Sequence, residues 1–378
     1  MKKNVSVRDY SMILALLGIW LFFYFMNPNF VGFGNLANLA IEFSIASVLA
    51  LGMLLVLLPG EIDLSVGSGV GLTGGIAVIA IAAGWPAWLA MLVAFLAGLA
   101  IWYGIGKLIT SQKMPSFIVT LGGLLIFKGI FWQTINYETI PTKKDAQPNA
   151  MSEIQDYAFS TVMSFLIFAI VAALLFYLMR KRRAALKEYG FELDSFDGDY
   201  LKTFVIIQAL LLVTVLMTNN KGLPLALFIL GLVACFIHVL TKNTPFGRYL
   251  YAIGGNREAA VVSGINVDKI VTIAYVILGG LVALTGFMQT AYLGSSTTTI
   301  GELMELDAIA ACVIGGTALS GGRGSVGGVL TGALIMASLI NGMALIPYCA
   351  DNPAITYIVR GAVLVLAVWV DVKFSKKK

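Results

Sequence analysis

The amino-acid sequence predicts an all-α, polytopic transmembrane helical bundle, with about 10–12 spans and some broken or re-entrant segments. Of its 378 residues, 59% are hydrophobic and only 12% are charged, whereas a soluble domain carries about 25% charged residues. Its 40 glycines fit the same class, because glycine lets membrane helices approach closely. The net charge of +5 comes from short basic segments between apolar runs, which indicates a lipid bilayer and not a nucleic acid as partner.

About twelve apolar segments are long enough, or nearly so, to cross a bilayer, which takes about 20 residues. The first is expected to be a retained span, because no small-residue cleavage site follows it. Breaks are expected around Gly60 and Gly321. The predicted segments are Ser11–Asn27, Leu36–Leu58, Val66–Gly84, Trp88–Thr110, Pro115–Gln133, Ser160–Arg180, Leu201–Met217, Gly222–Thr241, Lys269–Leu293, Leu306–Ser320, Val326–Leu345 and Ala354–Val372.

The distribution of basic residues predicts the orientation of the chain. If the N-terminus is inside, most of the 25 Lys and Arg residues fall in cytoplasmic segments, so both termini are expected in the cytoplasm. Two loops are long. Residues 134–159 are polar and expected outside, while 181–200, first basic and then acidic, are expected to form a mostly solvated cytoplasmic insertion loop. Residues 1–378 then form a single membrane-spanning domain.

The cytoplasmic segment 244–268 predicts two short helices. Thr244, followed by a proline, is a typical helix start, and Gly254-Gly255 is expected to end that helix. Asn256 is expected to cap the second helix, which ends at Gly264. Because helices this short are unstable alone, they need a surface to lie against. Two interpretations stay open: an amphipathic loop resting on lipid headgroups, or a docking knob for a cytoplasmic partner.

Several segments, in order along nearly the whole chain, carry a resemblance to a known family. They are Gly60–Ser68, Pro115–Gly123, Thr244–Asp268, Glu305–Thr317 and Gly321–Gly327. With these segments the chain resembles the permease subunits of bacterial ATP-binding cassette importers for monosaccharides, the ribose and xylose group. Within that group it looks most like the D-xylose permeases, because of Glu61-Ile62-Asp63, Asn341-Gly342-Met343 and an extra pair of spans around residues 180–202.

The resemblance implies a transport subunit in the bacterial inner membrane, not an enzyme. It implies a cytoplasmic ATPase subunit that binds the ATP, a periplasmic sugar-binding protein and a homodimer, with no cofactor of the chain's own. It also implies that 244–268 is the loop that couples the permease to the ATPase. The residues expected to form that coupling loop are Gly247, Arg248, Gly255, Asn256, Glu258, Ala259 and Gly264.

Polar residues near the predicted breaks are candidates for the translocation path or its gate, because ionisable groups at membrane depth tend to pair or to line cavities. Around the inner break, a simple cytoplasmic turn is an equal alternative. On the outer side, the acidic residues lie beside the small polar run 294–299, which could receive a sugar-delivery protein or be an ordinary polar loop. Lys128 and Arg360 are expected to snorkel. The path candidates are Glu61, Asp63, Ser65, Glu302, Asp307 and Asn341.

Other motifs argue against alternative activities. The G-x-G-x-x-G match at 69–74 lies in an apolar run, so close helix packing through Gly67/Gly71 and Gly71/Gly75 explains it better than a nucleotide site. No phosphate-binding loop of the G-x-x-x-x-G-K-[ST] type is present, and a single histidine, His238, leaves no hydrolase or metal site to build. A stand-alone secondary transporter or facilitator is the competing interpretation. A weak internal sequence repeat links residues 65–67 with residues 325–327.

Overall fold

The computed structural model describes residues 7–143, 147–190 and 196–375. Within these ranges the chain is almost entirely helical, which confirms the predicted fold class. Predictions for the basic ends 1–3 and 376–378, for Lys144 and for part of the insertion loop, 191–195, fall outside the described residues. The helices are α1 (Val7–Met26), α2 (Phe33–Leu57), α3 (Val66–Ala82), α4 (Ala87–Ser111), α5 (Ser116–Thr134), α6 (Glu153–Asp156), α7 (Thr161–Glu188), α8 (Phe196–Thr218), α9 (Leu225–Asn243), α10 (Pro245–Gly255), α11 (Arg257–Val262), α12 (Val267–Leu293), α13 (Met304–Ile314), α14 (Val326–Ala344), α15 (Pro347–Ala350) and α16 (Pro353–Ser375).

The remaining regular elements are short. A 3₁₀ turn, Pro28–Val31, joins α1 to α2. Four two-residue strands form two antiparallel ribbons, β1 with β4 and β2 with β3. The strands are β1 (Ile140–Pro141), β2 (Ala158–Phe159), β3 (Leu223–Pro224) and β4 (Ser295–Ser296).

Each predicted apolar segment contains a helix, but not every helix is long enough to span a bilayer. Among the described residues, eight helices have the length and composition of a membrane span, namely α2, α4, α5, α7, α8, α9, α12 and α14. Three further apolar stretches, Met12–Met26, Val66–Ala82 and Ala354–Trp369, are shorter. The segment predicted at Leu306–Ser320 is represented by α13, whose 11 residues extend only about 16 Å.

The prediction of a loop at 181–200 is wrong for the part that the structure describes, although most of residues 181–190 are exposed, as expected of a solvated segment. Helix α7 continues without a break to Glu188, and α8 already begins at Phe196. The reason is local: the sequence after Arg180 is rich in Lys, Arg, Ala, Leu and Glu, which are strong helix formers. The first glycine, Gly190, lies at φ +70° just beyond the helix. An ion pair of 2.6 Å between Arg183 and Asp199 joins α7 to α8.

Helices α2 and α12 form the centre of the bundle. Most side chains of both are buried, and α12 packs most extensively against α4. Gly98 of α4 faces Gly279 of α12 so closely that a Cβ on either would press on the other's carbonyl oxygen. Trp102 fills the next turn of α4 and is fully buried. Small residues therefore set the close approach of the two helices, as expected for membrane helices.

The glycines of α3 pack against neighbouring elements as predicted. A Cβ on Gly67 would meet Glu305 and the carbonyl of Gly301, and one on Gly71 would meet Phe131 and the carbonyl of Ile300. The 69–74 motif therefore lies within a packed helix, which agrees with the interpretation that excluded a nucleotide site.

Two breaks in the helical bundle occur at equivalent local positions. Ser65 precedes α3 after the break that follows α2, and Ser325 precedes α14 after the break that follows α13. The two breaks also touch, because the Gly322 N–H donates to the Leu58 carbonyl at 2.9 Å. The short sequence repeat at 65–67 and 325–327 thus corresponds to two helix starts at one end of the bundle.

Candidate transport and coupling sites

Segment 244–268 forms the two capped helices that its sequence predicts. The Thr244 hydroxyl accepts the Gly247 N–H at 3.3 Å at the start of α10, and the Asn256 side chain accepts the Ala259 N–H at 2.9 Å at the start of α11. Gly264 lies at φ +82°, just after α11, as expected of a residue that ends a helix. The first helix is longer than predicted, with 11 residues, and includes the Gly254-Gly255 pair.

One face of α10 is fixed to the membrane helices. Leu250 and Ile253 are almost completely buried, and α10 contacts both α9 and α12. Gly247 lies so close to the carbonyl oxygens of Leu240 and Thr241 that a side chain would not fit there. The helix is therefore held rigidly against the end of α9.

The opposite face of this segment is open. Arg248, Gly255, Asn256, Glu258 and Ala259 are all exposed. Among the described residues, the Arg248 and Glu258 side chains have neither a hydrogen bond nor an ion pair. Segment 244–268 is thus fixed to the membrane helices on one face and is exposed and charged on the other, which suits contact with another protein.

Three backbone segments meet where α10 ends, at residues 58–61, 254–257 and 320–324, which we term the inner junction. A Cβ on Gly254 would overlap the Leu58 carbonyl oxygen and the Gly322 nitrogen. The Tyr251 hydroxyl donates to the Gly324 carbonyl at 2.8 Å. Segment 244–268 thus touches both helix breaks directly. The sequence prediction named Gly255, which faces open space, and missed Gly254.

Glu61 forms an ion pair within the inner junction. Its Oε1 lies 2.7 Å from Nη1 of Arg257, with the Glu61 side chain 10% exposed and that of Arg257 48% exposed. A pocket of about 430 Å³ beside the pair is also lined by Lys113, Ser116 and Asp268. Of the alternatives open for Glu61, the structure supports an ion pair that ties the first break to α11.

Breaking this ion pair is expected to weaken the sugar transport that the family resemblance implies. In Arg257→Ala the buried Glu61 carboxylate loses its cation, which costs about 1–3 kcal/mol for a partly exposed pair. We expect the rate at which cells take up the monosaccharide to fall about fivefold or more. The charge-exchanged double variant Glu61→Arg/Arg257→Glu is expected to recover part of that loss. Equal uptake by Arg257→Ala and the wild type, at equal amounts of protein in the membrane, would contradict the role of the pair.

Asp63 and Ser65 belong to a closed hydrogen-bonding cluster. Asp63 is fully buried; its Oδ1 accepts the Ser65 N–H at 2.7 Å and the Ser65 hydroxyl at 2.6 Å. Its Oδ2 accepts Nε1–H of Trp102 at 2.8 Å. The cluster fixes the start of α3 against α4, and its carboxylate faces no open space.

Asp307 and Arg360 pair with each other. Asp307 Oδ2 lies 3.2 Å from Nη1 of Arg360, and both side chains are largely buried. The pair connects the short helix α13 to α16. Arg360 was expected to snorkel toward water, and this expectation is wrong because a carboxylate on the neighbouring helix neutralises it inside the bundle.

Glu302 is more loosely held. It lies 3.9 Å from Lys128, whose Nζ also lies 5.2 Å from the centroid of the Trp132 ring. Lys128 therefore reaches toward polar and aromatic groups at the end of α5, where both residues remain about one-third exposed or more.

The polar loop 134–159 is joined to the rest of the chain by specific contacts in the part that the structure describes. Strand β1 pairs with β4, bringing Ile140 opposite Ser296, and the Trp132 Nε1–H donates to the Thr298 carbonyl at 3.0 Å. The polar run 294–299 is therefore braced by this loop, while Gly294 and Thr299 stay exposed, so the two form one surface.

Asn341 belongs to a polar network that the sequence analysis did not find. Its side-chain amide donates to Glu42 Oε2 at 3.1 Å and its Oδ1 accepts from Asn35 at 2.8 Å. The Tyr292 hydroxyl donates to the other oxygen of Glu42 at 2.6 Å. Glu42 could have been found, because it is the one acidic residue within the apolar run 36–58.

The described arrangement is typical of a membrane transport protein: a bundle of apolar helices, a polar network inside it and an amphipathic segment at one end. Residues 35–368 match the family described as "Branched-chain amino acid transport system / permease component". The chain belongs to this family of permease components and is, as predicted, a multi-pass inner-membrane transport protein and not an enzyme.

Relatives that are similar over nearly the full length carry names of sugar transport systems. The xylose transport system permease protein XylH of Haemophilus influenzae is 37% identical, over 99% of each chain. XylH of Escherichia coli is 38% identical, over 98% of this chain and 93% of its own. The ribose import permease protein RbsC of Escherichia coli is 32% identical, over 97% and 94%. No solved structure matches.

Proposed function

We propose that this chain is the membrane subunit of an ATP-driven importer that carries a monosaccharide, D-xylose, across the bacterial inner membrane. The observation that carries the proposal is the rigid coupling segment, α10 and α11. One face of it is packed on the helix breaks of the inner junction, and the other is exposed and charged. Movement of a partner on the exposed face would therefore move the breaks.

The choice of sugar rests on the relatives. Two xylose permeases are 37% and 38% identical to this chain, compared with 32% for a ribose permease. The family description names branched-chain amino acids, but the full-length relatives above are named for sugars. Growth on D-xylose, restored by this chain in a bacterium that lacks its own xylose permease, is the expected result. Restoration on ribose alone would contradict the choice of sugar.

The proposed assembly is a homodimer with a cytoplasmic ATPase subunit and a periplasmic sugar-binding protein. Both termini and the segment 244–268 lie on the cytoplasmic side in this proposal. The inner junction and its pocket carry Lys113, Arg257 and Arg323 at one end of the bundle, and the positive-inside rule supports a cytoplasmic location for such an end. The surface formed by 134–159 and 294–299 then faces the periplasm and receives the sugar-binding protein.

The exposed charges of the coupling segment provide a direct test of the docking role. Arg248→Ala and Glu258→Ala remove side chains with no described partner in this chain, so insertion and stability are expected to stay near wild type. Uptake is expected to fall about tenfold, because charged contacts at such interfaces contribute about 1–3 kcal/mol. Hydrolysis of ATP by the assembled complex is expected to become independent of the sugar-binding protein.

Asp351→Asn is the matched control, because it removes an exposed charge that lies outside both segment 244–268 and the surface formed by 134–159 and 294–299. Wild-type uptake by both coupling variants would contradict docking at this face.

A further inference from the structure

The hairpin formed by α7 and α8 lies at the edge of the helical bundle. Helix α7 packs chiefly against α8, and α8 makes only a small contact with α2. Little of the apolar stretch of either helix is buried among the described residues. The hairpin therefore presents a long apolar surface to its surroundings, which in a bilayer are hydrocarbon.

Helix α7 is longer than a membrane span. Its 28 residues extend about 42 Å, whereas the hydrocarbon core of a bilayer is about 30 Å thick. The apolar stretch ends at Met179, and the next four residues, Arg180–Arg183, are all basic. We term these four residues the basic cluster. It lies where α7 leaves the hydrocarbon, at the depth of the lipid headgroups.

A single stripe of exposed side chains joins the apolar surface of α7 to the basic cluster. Its members, at spacings of four, three and four residues, are Ile170, Leu174, Tyr177 and Lys181. Side chains at such spacings lie on one helix face, and Arg180, three residues after Tyr177, borders the same face. Two apolar groups, a phenol and two cations thus follow one another along the helix. Tyrosine is typical of the boundary between hydrocarbon and water.

The chain itself neutralises only part of the basic cluster. Arg183 faces α8 and pairs with Asp199 at 2.6 Å. The other three members are exposed, and among the described residues their side chains have neither a hydrogen bond nor an ion pair. On α7 the next acidic residue is Glu188, which lies about 7–12 Å beyond the cluster along the helix. A net positive charge therefore remains at headgroup depth.

We propose that the basic cluster binds the phosphate of an anionic phospholipid, whose acyl chain lies along the exposed stripe of α7. Clusters of Lys and Arg at the end of a membrane helix attract anionic headgroups. Lys181 and Arg180 contact the phosphate, and the apolar part of the stripe contacts the chain. A symmetric contact between two copies through this face would bring two clusters of like charge together, which is unfavourable. The inference goes beyond the proposed function, because it concerns the membrane and not the sugar.

Photo-crosslinking of lipid to the full chain tests this inference. The purified chain is placed in nanodiscs of phosphatidylcholine that contain a small fraction of probe. The probe is phosphatidylglycerol, which is anionic, with a diazirine in one acyl chain. Phosphatidylcholine with the same diazirine, which has no net charge, gives the background. After illumination, mass spectrometry measures the yield of lipid attached to residues 161–179. In the wild type the anionic probe is expected to give about fivefold to tenfold more product than the neutral probe.

The double variant Arg180→Gln/Lys181→Gln is expected to reduce the yield of the anionic probe to within about twofold of the neutral one. Lys181→Arg keeps the charge and is expected to keep the preference. The matched control is Lys221→Gln, which removes an exposed cation at the opposite end of the same hairpin and is expected to behave as the wild type. If the double variant cannot be recovered in nanodiscs, Lys181→Gln alone is expected to lower the anionic yield about threefold.

Equal yields from the two probes in the wild type would overturn the inference, as would equal anionic yields from the wild type and the double variant. A cluster that serves only to orient the chain in the membrane predicts those results. Loss of the preference in the presence of 10 mM inorganic phosphate would overturn it too, because the ligand would then be free phosphate and not a lipid. Near-absence of labelling by both probes would show that another protein chain covers this face.

Discussion

Gly254→Ala is expected to reduce coupled uptake severely. A single methyl group at this position would overlap the Leu58 carbonyl oxygen and the Gly322 nitrogen, and it would also press on the backbone of Gly321. All of these are main-chain atoms, so no side-chain rotation can relieve the contact. The inner junction would have to open, losing the Gly322–Leu58 hydrogen bond of 2.9 Å. We expect a loss of uptake of about tenfold to a hundredfold, corresponding to about 1.4–3 kcal/mol.

Gly255→Ala is a closely matched control, since it adds the same methyl group one residue further along the same helix. A Cβ at Gly255 meets no atom within 4 Å, and alanine is a better helix former than glycine. We therefore expect Gly255→Ala to keep uptake far closer to wild type than Gly254→Ala does, with unchanged or slightly higher stability. Uptake is measured in cells at equal amounts of membrane-inserted protein. Equal effects of the two substitutions on uptake would contradict the role of the close contact between Gly254 and the two helix breaks.

Asp63→Ala is expected to destabilise the folded permease by about 3 kcal/mol or more. Three buried donors, the N–H and hydroxyl of Ser65 and the indole N–H of Trp102, would lose their acceptor. Each such loss costs about 1–3 kcal/mol. The start of α3 and its packing against α4 would loosen together. The measurement is the temperature at which half of the purified protein in detergent ceases to elute as a monodisperse peak.

Asp351→Ala is the control for that measurement, because Asp351 is an exposed carboxylate with no described side-chain partner. It is expected to leave the midpoint temperature unchanged. Asp63→Asn keeps one acceptor oxygen and is expected to fall between Asp63→Ala and the wild type. A midpoint for Asp63→Ala equal to that of Asp351→Ala would show that the cluster does not hold α3 in place.

Features that depend on neighbouring residues in sequence were predictable. The caps at Thr244 and Asn256 formed as expected, because capping needs only a polar side chain two or three residues before its donor. The apolar segments corresponded to helices because a run of about 20 apolar residues is itself a local signal of a membrane helix. The error at 181–200 was also local, since helix propensity extended α7 beyond the point where the apolar run ends.

Features that depend on packing between distant segments could not be predicted. Gly254 and Gly255 are identical in sequence terms, and only the approach of Leu58 and Gly322 distinguishes them. The partner of Arg360, Asp307, lies 53 residues earlier in the chain, so nothing local indicated the pair. Glu42 is different: an isolated acid in an apolar run is a recognised signal, but its partners Tyr292 and Asn341 required the fold.

The dependence of transport on a separate ATPase tests the central claim most directly. The purified chain is placed in liposomes alone, with the ATPase subunit, and with both the ATPase subunit and the sugar-binding protein, and uptake of labelled D-xylose is followed with and without ATP. We predict concentrative uptake only in the complete assembly with ATP, and its severe reduction in Gly254→Ala but not in Gly255→Ala. Uptake by the chain alone, unaffected by ATP, would contradict the claim and identify a stand-alone transporter.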